Sequence, residues 1–396
     1  MFLSFFIAGF EGTCGVNRHR QWIDQVVATQ HDRYVFEDYQ RLKEVGLLAA
    51  RESVRWPLVD RGGRFDFSSI DPMIAASRRH GVEVIWDLFH YGYPPELDPF
   101  SEEFVQRFAG YCHAAARHLA AGRPGPLYVT PINEPSYLAW AAGDAGRFAP
   151  HRTDCGRDLK IALLRAAIAG IDAIRAAVPT ARIINVDPLC NIVPPRDRPD
   201  LTAEAADFNF NAVFEGWDML AGRLYPELGG SPAHLDIVGV NYYWTNEWEI
   251  GQEEQPLAFD DDRRVPISRL LQRVHERYGA EIVVTETAHV AARRPDWLRC
   301  MADEACQSLD VGVPLRGVCL YPILGMPEWH DPQVWVQMGL WDLQADATGR
   351  LVRHLHEPSW AALRSAQRRD WRRPTDDAAE PKTTRPPLPL RRDGQA

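Results

Sequence analysis

Residues 128–135 read Tyr128-Val129-Thr130-Pro131-Ile132-Asn133-Glu134-Pro135. The stretch begins as a short apolar run rich in β-forming residues and ends in a polar turn, as a buried strand does where it leaves a sheet. Seven other apolar runs have the same character and are separated by longer segments. This alternation is typical of parallel strands joined by crossover helices. The seven runs cover residues 5–10, 48–54, 83–88, 182–186, 237–240, 282–285 and 317–321.

The segments between these runs repeat their apolar residues every three or four positions, which predicts amphipathic helices. The clearest examples are residues 34–45, 101–119, 159–178 and 266–278. Eight strands alternating with helices predict a closed (β/α)8 TIM barrel of the α/β class. An open doubly wound sheet is the alternative, but no GxGxxG or GxxxxGK[ST] motif follows any predicted strand.

The domain organisation follows from where the apolar residues stop. We predict one catalytic barrel over residues 1–363 and an Arg- and Pro-rich disordered tail over residues 364–396, because almost no large apolar residue follows Trp371. Residues 247–264 are acidic and lack a regular period. They are therefore expected to form a long loop over the active face of the barrel.

Composition excludes several classes of protein. A chain of 396 residues with 45% hydrophobic content is globular, and a formal net charge of −10 argues against nucleic acid or anionic lipid as a partner. No apolar run approaches the roughly 20 residues that span a bilayer. The seven cysteines form neither a CxxC pair nor a zinc-ligand pattern, which predicts reduced thiols, a cytoplasmic location and no metal. Nothing in the sequence predicts the oligomeric state.

Two glutamates follow predicted strands at positions suited to catalysis. Glu134 follows the fourth strand and Glu286 follows the seventh, in Val284-Thr285-Glu286-Thr287. Barrel enzymes carry their chemistry at the carboxyl ends of the strands, and strands four and seven lie on opposite sides of an eight-stranded mouth. Two carboxyl groups that approach a ligand from two sides are what glycoside hydrolysis requires.

The motifs around these glutamates resemble those of glycoside hydrolase family 1, within clan A of retaining glycosidases. Asn133-Glu134-Pro135 is similar to the acid/base motif of that family, and Thr285-Glu286 to its nucleophile motif. The resemblance extends over about residues 34–343. It implies that Glu134 is the acid/base and Glu286 the nucleophile.

The same resemblance implies further residues in the site. Arg51, in Arg51-Glu52-Ser53-Val54-Arg55-Trp56, corresponds to an arginine beside the nucleophile, and Asn133 would bind the sugar 2-hydroxyl. The other implied contacts are His90 for sugar hydroxyls, Asn241 and Tyr243 on the sixth strand, Tyr321 on the eighth, and Glu328 with Trp329 for the glycon.

Three departures from the family pattern concern the sugar site. The first strand ends in Gly9-Phe10-Glu11-Gly12, without the glutamine of the family. Tyr321 replaces a tryptophan, and Thr287-Ala288 replaces the Asn-Gly expected after the nucleophile. These changes predict a divergent member of the family.

The predicted function is a retaining β-glycosidase that acts on small glycosides without a cofactor. Retention predicts carboxyl groups about 5 to 5.5 Å apart, whereas an inverting enzyme has them roughly 6.5 to 9.5 Å apart. Three alternatives remain open: a clan A endo-glycanase or transglycosidase, a catalytically silent sugar-binding relative, and a metal-dependent hydrolase. The last is disfavoured because the first strand offers no His-x-His pair.

Overall fold

Eight parallel strands close into a barrel in the computed structural model, which describes residues 2–123 and 125–371. Each strand pairs with the next along the chain, and the circle closes where Ile7 on β1 lies beside Cys319 on β8. The predicted TIM-barrel fold is therefore confirmed, and each strand overlaps a predicted run. The strands are β1 (Phe6–Gly9), β2 (Ala49–Ser53), β3 (Glu83–Asp87), β4 (Tyr128–Thr130), β5 (Arg182–Pro188), β6 (Ile237–Asn241), β7 (Glu281–Thr287) and β8 (Leu315–Leu320).

Helices surround the barrel and include the four that the apolar period predicts. The helices are α1 (Gln25–Ala28), α2 (His31–Glu44), α3 (Trp56–Val59), α4 (Asp71–His80), α5 (Glu102–Ala120), α6 (Pro135–Gly143), α7 (Gly156–Ala177), α8 (Thr202–Phe210), α9 (Glu215–Leu220), α10 (Ile267–Tyr278), α11 (Arg294–Asp310) and α12 (Glu357–Gln367).

Helix α5 illustrates how the sequence sets these boundaries. The hydroxyl of Ser101 accepts the backbone amide of Phe104 at 3.1 Å, which satisfies a free donor at the helix start. Acidic residues occupy its first turn and basic residues its last, in the sense that the helix dipole favours. Its buried face, which includes Phe104, Phe108 and Tyr111, packs between the barrel and neighbouring helices.

Strand β2 shows why side chains of one strand reach different environments. Successive side chains of a strand point to opposite faces, so Ala49 and Arg51 face the barrel interior. Ala50 faces the helices, and Glu52 contacts His31 and Tyr39 on α2. An arginine inside a barrel needs acidic partners, and Asp87 and Glu286 are those of Arg51.

Among the described residues, four strand pairs lie outside the barrel. One of them lies in the predicted long loop over residues 247–264. The first residues of this loop, Glu247–Glu249, pair in parallel with Asn191–Val193. The other three pairs are antiparallel and join Cys14–Val16 to Trp22–Asp24, Met326–Pro327 to Trp335–Val336, and Trp341–Ala345 to Leu351–Leu355.

The described chain stays packed on the barrel beyond residue 363, the predicted domain limit. Helix α12 continues across this position to Gln367, and the Trp371 ring stacks on Phe5 with 4.0 Å between centroids. Residues 372–396 of the predicted tail lie outside the described residues.

All seven cysteines are free. Within the described ranges, no helix is both long enough and apolar enough to cross a lipid bilayer.

Candidate active site

A β-bulge turns Glu286 toward the barrel mouth. Val283 points into the barrel and Val284 out of it, so strict alternation would direct Glu286 outward. The pairing of β7 with β6 shifts by one residue between Val284, opposite Val240, and Glu286, opposite Asn241. The extra residue reverses the alternation and leaves the Glu286 carboxylate inside the barrel.

The Glu286 carboxylate contacts two side chains from other strands. Nη1 of Arg51 donates to Oε1, and the Tyr243 hydroxyl donates to Oε2 at 2.8 Å. Glu286 is 4% exposed and Arg51 is 1% exposed, so their charges meet with little screening by water. Each of the two carboxylate oxygens thus accepts a hydrogen bond, and the guanidinium supplies the countercharge.

Arg51 also connects Glu286 to the rest of the site. Its Nη2 donates at 2.7 Å to Oδ2 of Asp87 and at 2.7 Å to Oδ1 of Asn133. Asp87 is the last residue of β3 and is buried. One rigid guanidinium therefore aligns side chains from three strand ends.

Glu134 lies at the amino-terminal end of α6 in an unusual backbone conformation. Its φ of 45° and ψ of 59° fall in the left-handed region, which non-glycine residues seldom adopt. Its amide donates to Val186 on β5 at 3.0 Å, and its carbonyl accepts the amide of Leu138 at 2.9 Å. These bonds hold the carboxyl group over the mouth.

The environment of the Glu134 carboxyl favours its protonated form. Burial and the negative charge of Glu286 raise its pKa from 4.5 to about 8, and Asp187 contributes in the same direction. Hydrogen bonds from Tyr91 and Asn241 act the other way. Unlike Glu286, Glu134 has no ion pair among the described residues. The two glutamates therefore stand in different electrostatic environments.

A row of amide side chains links the strands beneath the glutamates. Nδ2 of Asn241 lies 3.4 Å from Oδ1 of Asn133, and Oδ1 of Asn241 accepts the hydroxyl of Thr285 at 2.7 Å. Asn133 and Asn241 are completely buried. Buried amides in such a network have one allowed orientation, because a flipped amide would leave unpaired donors.

His90, Tyr321 and Glu11 form the side of the mouth near β1. Nδ1 of His90 lies 2.9 Å from Oδ2 of Asp87, and its ring stacks on Tyr321 at 5.8 Å. Burial opposes the charged form of His90, but its bond to Asp87 and the charges of Asp87, Glu11 and Glu286 raise its pKa overall. Gly9 permits this arrangement, since a Cβ there would lie 2.0 Å from the Tyr321 ring.

Trp329 and Glu328 lie in the loop after β8, at the outer part of the mouth. The Trp329 ring contacts Tyr91 with 5.7 Å between centroids, and its carbonyl accepts Nδ2 of Asn17 at 2.9 Å. Oε2 of Glu328 accepts the backbone amides of His330 at 2.6 Å and Asp331 at 2.5 Å. Glu328 thus orders its own loop, and its contact with a glycon stays a prediction.

The structure brings eight of the predicted site residues together. They are Arg51, His90, Asn133, Glu134, Asn241, Tyr243, Glu286 and Tyr321. Tyr91 separates Trp329 from Glu134 and contacts both.

Sequence reasoning missed Asp87, Tyr91 and a role for Glu11. Asp87 ends a predicted strand, so the rule that identified the glutamates could have found it. No comparable sequence signal distinguishes Tyr91.

Within the described ranges, no group of His, Cys, Asp and Glu side chains is arranged to hold a metal ion.

Comparison with solved structures relates the chain to β-glucosidases of Thermotoga maritima. The complex of that enzyme with noeuromycin aligns with a TM-score of 0.71 at 19% sequence identity, covering 92% of this chain and 98% of that chain. The glucoimidazole complex aligns with a TM-score of 0.73 at 17% identity over the same shares. A structure described as the family 1 β-glucosidase of this organism aligns at 0.70 and 19% identity, over 91% of this chain and 96% of that chain.

At these identities the likeness concerns the fold. It confirms, at that level, the resemblance to family 1 glycosidases. No protein-family model and no curated protein matches the chain.

Proposed function

We propose that the protein is a retaining β-glycosidase that cleaves small β-glycosides by double displacement. The observation that carries the proposal is the unequal environment of two glutamates in one mouth. Glu286 is bound by a guanidinium and a phenol, whereas Glu134 has a pKa raised by burial and by Glu286 itself. A nucleophile must be ionised while its partner acid holds a proton, and these environments favour that division.

In the first step, Glu134 would donate its proton to the glycosidic oxygen as the anomeric bond breaks. Glu286 would attack the anomeric carbon from the opposite face and form a glycosyl ester. Arg51 and Tyr243 hold the attacking carboxylate in one orientation, so little reorganisation accompanies the attack. The ester consumes the negative charge of Glu286, and this lowers the pKa of Glu134 for the next step.

In the second step, the ionised Glu134 would accept a proton from water while the water oxygen attacks the anomeric carbon. The ester bond breaks, and Glu286 regains its charge. Asn133 is a candidate donor or acceptor for the sugar 2-hydroxyl, because its side chain is held by Arg51 and lies beside Glu134 in the chain. Such a contact lowers the barrier if it strengthens as charge develops on the ring.

A mechanism-based label tests the proposal directly. A dinitrophenyl 2-deoxy-2-fluoro β-glycoside should release dinitrophenolate once and leave an ester on the Glu286 peptide, detected by mass spectrometry. Nuclear magnetic resonance of products from an aryl β-glycoside should show retention of the anomeric configuration. Labelling of another carboxylate, or inversion, would contradict the assignment.

Two substitutions separate the roles of the glutamates. Glu286→Ala should abolish turnover of every glycoside, whereas Glu134→Ala should preserve the first step for a dinitrophenolate leaving group, which needs no proton. Glu83→Ala is the matched control, since Glu83 begins β3 at the opposite end of the barrel. A wild-type protein that binds glycosides and cleaves none would instead indicate a sugar-binding relative. The cytoplasmic location stays a prediction.

A further inference from the structure

Glu11 places a third carboxyl group in the mouth, beside the two glutamates. It follows β1 and is 6% exposed. Its Oε1 accepts the amide of Thr13 at 2.9 Å and lies 3.8 Å from Nε2 of His90. None of the hydrogen bonds found among the described residues ends on its Oε2, and the Thr13 side chain is the other hydrogen-bonding group that lowers the pKa of Glu11. A carboxylate that is nine-tenths buried with a free oxygen is costly unless a ligand supplies a donor.

Glu11 faces the same space as the catalytic pair. Its charge and that of Glu286 repel each other, which contributes to a raised pKa of Glu11, although burial is the larger cause. Its charge also acts on the phenols of Tyr243 and Tyr137, which lie on other sides of the mouth. The free oxygen of Glu11 is therefore positioned for a ligand that also reaches Glu286.

The charges around Glu11 do not balance. The acidic groups are Glu11, Asp87, Glu134 and Glu286, and the basic groups in contact with them are Arg51 and His90. Arg51 is already shared between Asp87 and Glu286, and Nδ1 of His90 is bound to Asp87. With Glu134 protonated, His90 charged and Glu11 ionised, three carboxylates face two cations. In that state the mouth lacks one positive charge, and among the ionised carboxylates Glu11 has the longest ion-pair distance, 3.8 Å to Nε2 of His90.

We infer that this site takes a glycon that carries an ammonium group, which Oε2 of Glu11 binds. The inference rests on the proposed glycosidase function and specifies its substrate class as β-glycosides of amino-deoxy sugars. An ammonium group has three donors and the missing charge, so it satisfies Glu11 in both respects. A neutral hydroxyl would satisfy only the hydrogen bond.

Binding of hydrolysis-resistant ligands tests the inference without requiring turnover. The probes are phenyl β-thioglycosides of glucose and galactose, and their analogues with an amine in place of one hydroxyl, one position at a time. Isothermal titration calorimetry near pH 6 should show that at least one amino analogue binds about tenfold more tightly than its neutral parent. The N-acetylated form of that analogue, which has no charge, should lose the advantage.

Glu11→Gln is the matching change in the protein. It keeps the size of the side chain and removes the charge, so the preference for the amine should fall to within about threefold. Glu83→Gln removes a carboxylate from the opposite end of the barrel and should keep the wild-type preference. The inference is overturned if no amino analogue is preferred, if the N-acetylated form binds equally well, or if Glu11→Gln keeps the preference.

The two proposals fail in different ways. Turnover of neutral glycosides without a preference for amines would remove the role of Glu11 and leave the glycosidase intact. A preference for amines without turnover of any glycoside would support the binding site and contradict the proposed activity.

Discussion

Asp187 accepts two hydrogen bonds from Ser136, one from the backbone amide at 3.0 Å and one from the hydroxyl at 2.6 Å. Ser136 lies in the first turn of α6, two residues after Glu134. The carboxylate on β5 therefore binds the amino-terminal end of the helix that Glu134 precedes, and its charge acts on Glu134.

Removal of this charge should make Glu134 a stronger acid. Burial raises the pKa of Asp187 to about 6, so it is ionised when Glu134 titrates near 8. In Asp187→Asn, the pKa of Glu134 should fall, and the basic limb of the kcat/KM profile should move to lower pH. Ser136→Ala keeps the charge and is the control. A basic limb that stays in place in Asp187→Asn would exclude the electrostatic role.

Tyr91→Phe should move the same limb in the opposite direction. The Tyr91 hydroxyl donates to Oε2 of Glu134 and favours its ionised form. Without this bond, the pKa of Glu134 should rise, and activity should persist to higher pH. Measurement of kcat/KM against pH in both variants checks the pair, and a shift in the same direction for both would contradict the assignment of Glu134.

Tyr243→Phe should reduce kcat/KM by about 10- to 100-fold, because a hydrogen bond to a charged group in a buried site is lost. The bond from Tyr243 to Glu286 is 2.8 Å long. Tyr242→Phe provides a close control, since the Tyr242 hydroxyl donates to Glu247 at 2.7 Å and not to Glu286. Equal kinetic losses in both variants would indicate a general structural effect.

His31, which contacts neither Glu134 nor Glu286, should make stability depend on pH. It is buried between Asp38, 2.9 Å from Nδ1, and Glu52, 3.0 Å from Nε2. Burial lowers its pKa, but these acidic partners raise it overall to about 9. A raised pKa stabilises the fold fully below pH 6.5, and this contribution is lost as the pH rises to about 9.

The contribution of His31 is on the order of 3 kcal/mol across that interval. Urea unfolding of the wild type should therefore show a decline in the free energy of unfolding between pH 6.5 and 9, which His31→Gln should reduce. His118→Gln removes a half-buried histidine paired with Asp71 and should keep the wild-type slope. The prediction is wrong if His31→Gln has an unchanged slope.

Trp371 should mark the last residue that stabilises the barrel. It is 8% exposed and stacks on Phe5, so Trp371→Ala should lower the free energy of unfolding by about 3 kcal/mol. A chain truncated after residue 371 should keep the wild-type Tm, because residues 372–396 are poor in large apolar side chains. A large fall in Tm on truncation would contradict this expectation.

The sequence by itself determined the barrel and predicted that Glu134 and Glu286 lie at its mouth. Strand and helix periods are local properties, so the eight apolar runs coincide with the eight strands without any knowledge of their pairing. Glu134 was identifiable because carboxyl ends of barrel strands share one face, and a polar residue directly after an apolar run must lie there.

Only the tertiary structure decided how these groups meet. Arg51 and Glu286 are 235 positions apart, and the bulge that turns Glu286 inward depends on the pairing of β7 with β6. The contact of Tyr91 with Glu134 likewise joins residues that are 43 positions apart. Charges and hydrogen bonds act through space over a few ångströms, so the proton affinities in this mouth depend on separations that sequence periodicity does not contain.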